Sequence, residues 1–277
     1  MSTRNSYRSE LFKLVRRPAV WVVLSVWLAL MLLFTYVFPY VAYRGAANPA
    51  AARALLSPLL TAQLPGHALT GYPVWGGALI VVLGALAAGS EYGWGTLKTL
   101  LSNSPNRVSA FAGQLGALFT IVAGLVVVAF ACSGVASMLI GTTSHASLTA
   151  PSATDVARSL AAGWLILCMW VSLGVLLGTL LRGTALSIGL GVVWLLAVEN
   201  LLRATAALVP AIATVEKGLP GVNAGSLVAA LGGSVSSASG SGIAAIVGGA
   251  QALGIVTAYL LLFVIVGGVL LSRRDVV

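Results

Sequence analysis

The stretch AVWVVLSVWLALMLLFTYVFPYV, residues 19–41, runs for 23 residues without a charge. A helix needs roughly 20 apolar residues to cross a ~30 Å hydrocarbon core, so this segment reads as a membrane span. It exceeds the ~7–15 residues of a signal-peptide core, and it is expected to stay in place as a signal anchor. Five further runs of similar character follow: Gly71 to Gly89, Ala110 to Ile140, Leu160 to Leu181, Thr184 to Leu202 and Ala250 to Leu271. The third run is longer than a crossing needs, so it must tilt or project from the bilayer.

The composition agrees with this reading. Of the 277 residues, 59% are hydrophobic and only 8% charged, against roughly 25% charged in a soluble domain. A soluble enzyme is excluded. Long uncharged runs and 32 glycines suit close-packed helices, whereas a membrane barrel shows only alternating stretches of about ten residues. The expected fold is therefore an all-α polytopic membrane protein with six transmembrane helices, forming one domain over residues 1–277.

The net charge of +9 reads as topology and not as a nucleic-acid footprint. With both termini in the cytoplasm, Arg4, Arg8, Lys13, Arg16, Arg17, Lys98, Arg107, Arg182, Arg273 and Arg274 lie inside. Arg44, Arg53, Arg158, Arg203 and Lys217 lie outside. The excess of bases on the inner side supports that orientation.

Residues 1–18 precede the first span. There Tyr7, Leu11, Leu14 and Val15 recur at helical spacing while Arg8, Lys13, Arg16 and Arg17 point elsewhere. This predicts a basic amphipathic helix on the anionic inner leaflet, turning into the bilayer at Pro18. In the first external loop, Asn48 can cap and Pro49 can start a short helix that ends near Leu64-Pro65-Gly66. Residues 203–249 carry two apolar pieces, ATAALVPAIAT and LPGVNAGSLVAALGG, which are too short to span and are broken by Pro210 and Pro220. They predict short external or re-entrant helices, tolerated in a membrane only where packed against protein or lining a cavity. The GSVSSASGSG stretch after them reads as a flexible linker.

Chemistry-bearing residues are sparse. Glu199 is the one ionisable residue inside a predicted span, and Arg203 four residues on offers it an intrahelical partner. Glu199 and Asn200 are kept as a candidate external gate. Cys132 and Cys168 each fall inside a predicted span and are expected to be free thiols. Ala131-Cys132-Ser133-Gly134 lacks the first glycine of a GxSG serine site. No HExxH or paired-carboxylate signature occurs, so neither a catalytic nor a metal site is expected. Gly93-Trp94-Gly95-Thr96-Leu97-Lys98-Thr99 has Leu97 where a phosphate loop requires glycine before the lysine, so the chain is not expected to bind nucleotide. Gly174 with Gly178 and Gly84 with Ala88 are small-residue pairs suited to close helix contact.

The functional signal lies between the second and third spans, in EYGWGTLKTLLSNSPNR, residues 91–107. Glu91 stands at the membrane exit, two glycines allow a change of direction, and TLKTLL follows with Leu97, Leu100 and Leu101 on one face beside Lys98. A short amphipathic helix lying between two spans is placed to dock in a groove of a cytosolic partner. The pattern of Glu91, then Gly95-Thr96-Leu97-Lys98, Leu100-Leu101, Pro105 and Arg107 resembles the membrane subunit of type 2 ABC exporters. The opening SELFKLVRRP, residues 9–18, and the ending LLSRRDVV, residues 270–277, add to the resemblance, as does the interrupted region before the last span.

The resemblance implies a permease that pairs with a separate ABC ATPase, where ATP and Mg would bind, and with a second permease copy. It also implies a multi-pass protein of the bacterial plasma membrane. By position, Glu91, Tyr92, Gly95, Thr96, Leu97, Lys98, Leu100, Leu101 and Arg107 would form the coupling element, flanked by Arg8, Lys13, Arg16 and Arg17 of the N-terminal helix. Spans so poor in charge point to an amphipathic or hydrophobic cargo such as an antibiotic, peptide or lipid-like compound, carried by efflux. The competing expectation is a secondary transporter driven by an ion gradient, which would require ionisable residues within the spans.

Overall fold

Proline and glycine set the boundaries of the helices. The computed structural model describes residues 3–93, 107–206, 208–233 and 242–273. Helix α1 (Thr3–Arg16) ends where Arg17 adopts an extended conformation, and Pro18 then starts α2 (Pro18–Arg44), the first span. Proline suits that position because its missing N–H would be unpaired there anyway. The external helix α3 (Pro49–Leu56) is capped as expected, Asn48 Oδ1 accepting from the Ala51 N–H at 2.8 Å. It stops at Leu56, earlier than expected, because the chain tightens into 3₁₀ turns at Ser57–Leu59 and Thr61–Gln63 before a last helical turn, Leu64–His67.

The remaining spans are α4 (Tyr72–Glu91), α5 (Arg107–Thr143), α6 (Ala153–Leu181), α7 (Thr184–Ala206) and α10 (Gly249–Arg273). Between α7 and α10 lie two short helices, α8 (Pro210–Glu216) and α9 (Pro220–Ala230). Among the described residues there are helices and no strands, so the protein is an all-α polytopic membrane protein with six spanning helices. At 37 residues, α5 is about 55 Å long at 1.5 Å per residue, and its surplus length extends beside α1.

The core is built around α4 and α6. Their apolar windows are 78% and 67% buried, against 28% for α2, 22% for α7 and 11% for α10, which places these two at the centre and the other three at the periphery. Small residues let the central pair touch backbone to backbone. A Cβ added at Gly84 would lie 2.2 Å from the Val171 carbonyl oxygen, and one added at Gly174 would lie 2.2 Å from that of Val81. Gly178 meets Ala88 and Gly89 one turn further along. The two small-residue pairs seen in the sequence thus face each other across one helix contact, where dispersion between close backbones replaces the absent hydrophobic drive. Beyond this contact, Arg182 takes a left-handed conformation and Gly183 leads into α7, forming a tight turn packed against Gly89 of α4. Cys132 and Cys168 are both free thiols.

Three spans contain a π-helical turn: Leu33–Val37 in α2, Tyr72–Gly76 at the start of α4 and Trp194–Val198 in α7. In α2 the irregularity has a chemical cause. Pro39 cannot donate the N–H that an α-helix would offer the Thr35 carbonyl. His67, from the helical turn before α4, donates to that oxygen from Nε2 at 2.9 Å. Burial holds the His67 imidazole below its ordinary range, outweighing the carbonyl contact that favours its charged form.

Candidate functional site

Two clusters of charged residues stand out from the apolar bundle, at opposite ends of it. The first joins α1 to the end of α4. Ser6, Glu10 and Leu14, spaced four apart, are all buried, at 7%, 4% and 1% exposure. They form the stripe of α1 that seats against α4 and α5. Gly113 makes the seat: a Cβ there would come within 2.8 Å of the Ser6 backbone. Tyr7 Oη lies 3.0 Å from Thr120 Oγ1, and Ser109 Oγ donates to Thr3 Oγ1 at 3.2 Å.

At the far end of the stripe, Lys13 Nζ stands 2.7 Å from Glu10 Oε1 and 2.5 Å from Glu91 Oε1. Arg17 Nη1 donates to Ser90 Oγ at 2.9 Å. Lys13 of α1 and Arg17, the residue joining α1 to α2, are therefore tied to the last two residues of the second span. Burial, then the nearby Glu91 carboxylate, raise the Glu10 carboxyl above its usual range, although Lys13 bonds to it. Burial alone would lower the Lys13 ammonium, but the two carboxylates outweigh it and hold it above the ordinary lysine range. The trio is a lysine clasped by two acids, with Arg17 close enough to Glu10 to offset their surplus negative charge.

This arrangement corrects the sequence reading of α1. Val15, expected on the apolar face, is 46% exposed, whereas Lys13, expected to point away, is turned into the junction. The buried face follows Ser6, Glu10 and Leu14 because α1 docks on protein and not only on lipid. Glu10, absent from the sequence-based site, is one of its centres. The available signal was its place four residues from both Ser6 and Leu14. Arg8 and Arg16 are exposed, Arg16 lying 4.7 Å over the Phe12 ring. Arg107 opens α5. The side chain of Tyr92, and Gly95, Thr96, Leu97, Lys98, Leu100 and Leu101, lie outside the described residues.

The second cluster surrounds Glu199, only 1% exposed at the opposite end of the bundle. Its carboxylate accepts from Trp194 Nε1 at 3.2 Å and from the Gly221 N–H at 3.2 Å, and it pairs with Arg203 Nη2 at 3.6 Å. The expected pair with Arg203 is present, yet the cluster also reaches another helix. Gly221 lies in the first turn of α9, whose unpaired N–H groups and dipole favour an anion. A Cβ at Gly221 would lie 2.0 Å from Glu199 Oε2, so only glycine allows this approach. Asn200 takes no part: its Nδ2 donates to Leu196 O within its own helix, and the side chain is exposed.

Helix α9 is buried from Pro220 to Val228, while α8 has no buried residue. Tyr259 of α10 donates to the Gly218 carbonyl at 3.0 Å, and Ser226 Oγ donates to Ala244 O at 2.9 Å. The C-terminal end of α9 is equally confined, a Cβ at Gly66 falling 2.2 Å from the Gly232 carbonyl carbon. A short helix is thus held at both ends, by α7 and α10 on one side and by the turn before α4 on the other.

No curated protein matches the chain. The model of the family described as ABC-2 family transporter protein matches residues 7–198. That match takes in most of α1, the first four spans and most of the fifth, and so includes the junction of Glu10, Lys13 and Glu91. Six spans, an N-terminal helix docked on the end of the second and a match over most of its length establish that the chain belongs to the ABC-2 family of transporter proteins.

Proposed function

We propose that this chain is the membrane subunit of an ATP-driven exporter and couples a separate ABC ATPase to a path for an amphipathic or hydrophobic cargo such as an antibiotic, peptide or lipid-like compound. The observation that carries this reading is the ionic clasp of Glu10, Lys13 and Glu91. It binds the N-terminal helix to the second span at the point where the 91–107 connection begins. A push on either element reaches α4, and α4 is one of the two central helices. The ATPase, carrying ATP and Mg, would dock from the cytoplasm on the 91–107 connection and α1. A second permease copy would complete the path, with both termini on the cytoplasmic side of a bacterial plasma membrane. At the opposite end, α9 with its Glu199 tie would act as the external gate. Transport requires two states with different contacts, and these two ionic ties are the contacts assigned to change.

The test is co-purification with the ATPase encoded beside it, followed by cargo-stimulated ATP hydrolysis in liposomes. Changing Leu97 and Leu101 to Asp is expected to leave ATP hydrolysis by the partner intact and to reduce cargo export at least tenfold. Unimpaired export by that variant removes the coupling assignment. Export driven by an ion gradient without any ATPase would replace the proposal with a secondary transporter.

A further inference from the structure

A slot of about 350 Å³ opens between α2 and α5 at the end of the bundle where α1 joins. Its walls include Val20, Trp21, Leu24 and Leu28 of α2 and Gly124 and Val128 of α5, and its surface is almost wholly apolar. From residue 20 to residue 28 the slot runs about 12 Å along the helix at 1.5 Å per residue. That distance is most of one leaflet, half of a ~30 Å hydrocarbon core. Position 124 carries no side chain and leaves the slot open there. Among the described residues, nothing lies within 4 Å of a Cβ built there.

From the slot's Val15, α1 leads away with a basic and aromatic face. Opposite the buried Ser6, Glu10 and Leu14 stripe, α1 presents Arg8, Phe12, Val15 and Arg16, all exposed, on one face. Val15 and Trp21 belong both to this surface and to the slot lining. Trp21 is 55% exposed, and its indole Nε1 donates to the Val15 carbonyl at 2.8 Å, fixing the ring at the junction of α1 and α2. An indole at the start of a span, with arginines on the helix that precedes it, suits the headgroup level of a bilayer. We infer that the slot holds an acyl chain of an anionic phospholipid whose headgroup is met by Arg8 and Arg16. A second copy of this chain is the less favoured occupant, since a two-fold contact on this face would put two copies of the same basic surface together.

The experiment is mass spectrometry of the phospholipid retained by the full-length protein after purification from nanodiscs of equal phosphatidylglycerol and phosphatidylcholine. Wild type is expected to retain phosphatidylglycerol several-fold over phosphatidylcholine. Gly124→Leu, which fills open space, should reduce the retained lipid at least fivefold. Val128→Phe, entering the slot one turn away, is the second variant should the first fold poorly. Replacing Arg8 and Arg16 by Gln should keep the lipid and abolish the anionic preference. Undiminished phosphatidylglycerol in both slot-filling variants overturns the inference, as does an unchanged preference in the double Gln variant. Disulfide-linked dimers of Gly124→Cys in the membrane would assign the slot to a second copy and overturn it equally.

Discussion

Lys13 shows how much one side chain can decide. Its ammonium bridges two buried carboxylates, and removing one member of such a group strands the others in a poorly solvated site. Lys13→Met is therefore expected to cost about 1–3 kcal/mol, below the range for a fully buried pair because Lys13 is a third exposed. Its larger effect should be functional, with ATP hydrolysis by the partner persisting while export falls. Lys13→Arg should recover part of the export, which a loss of packing alone would not predict. Glu199 is the counterpart at the other end. Glu199→Gln keeps an oxygen for the Gly221 N–H but removes the carboxylate paired with Arg203, leaving a mostly buried guanidinium that Glu216 offsets more weakly. A loss of about 3 kcal/mol is expected, together with faster labelling of a cysteine placed in α9. Unchanged labelling would detach Glu199 from any gating role.

Among the elements, α4 and α6 tolerate least. Gly84→Leu or Gly174→Leu would drive a side chain into facing backbone, which cannot move aside as a side-chain tip could. Such overpacking costs about 3 kcal/mol or more, and these variants should fail to accumulate in the membrane. Gly254→Ala in α10, with nothing within 4 Å of the added carbon among the described residues, should change the melting temperature little. The turn before α4 carries a pH dependence. Folding holds His67 below its ordinary value of 6.5, so in acid the unfolded chain binds the extra proton first. The stability from neutral His67 is complete above about pH 6.5 and is lost as pH falls toward its folded value. Thermal unfolding should shift downward from pH 7 to about pH 5. His67→Gln, which retains a donor for Thr35 and does not titrate, should flatten that shift.

At the scale of the molecule, the arrangement is a rigid pair of central helices with an ionic junction at each end. The spans were legible in the sequence because crossing lipid imposes length and the exclusion of charge on each run separately. Predicted and observed boundaries of the six differ by a few residues, most at Ala153, where polar residues continue a helix expected from Leu160. Pro18, Asn48 and Pro49 were equally readable, since capping and proline chemistry act within one turn. The candidate site was legible only in part. Glu91 and Lys13 were named separately, but 78 residues separate them, and no local rule pairs them. Glu199 was matched with Arg203 by its spacing, while its bond to Gly221 depends on where α9 folds back. Val15 and Lys13 exchanged roles because the periodicity of α1 was read against a flat membrane, and the helix seats on protein.

By itself the sequence determined the all-helical membrane architecture, the six spans, the starts of most helices and the resemblance to the ABC-2 family. Each of these follows from interactions within a turn or from the solvent a segment must match. Only the tertiary structure decided that two small-residue pairs face each other, that α9 is buried where α8 is not, and that one lysine joins two acids from distant segments. Those outcomes depend on which surfaces meet once the helices pack, and shape and charge must fit there across separations that no local pattern encodes.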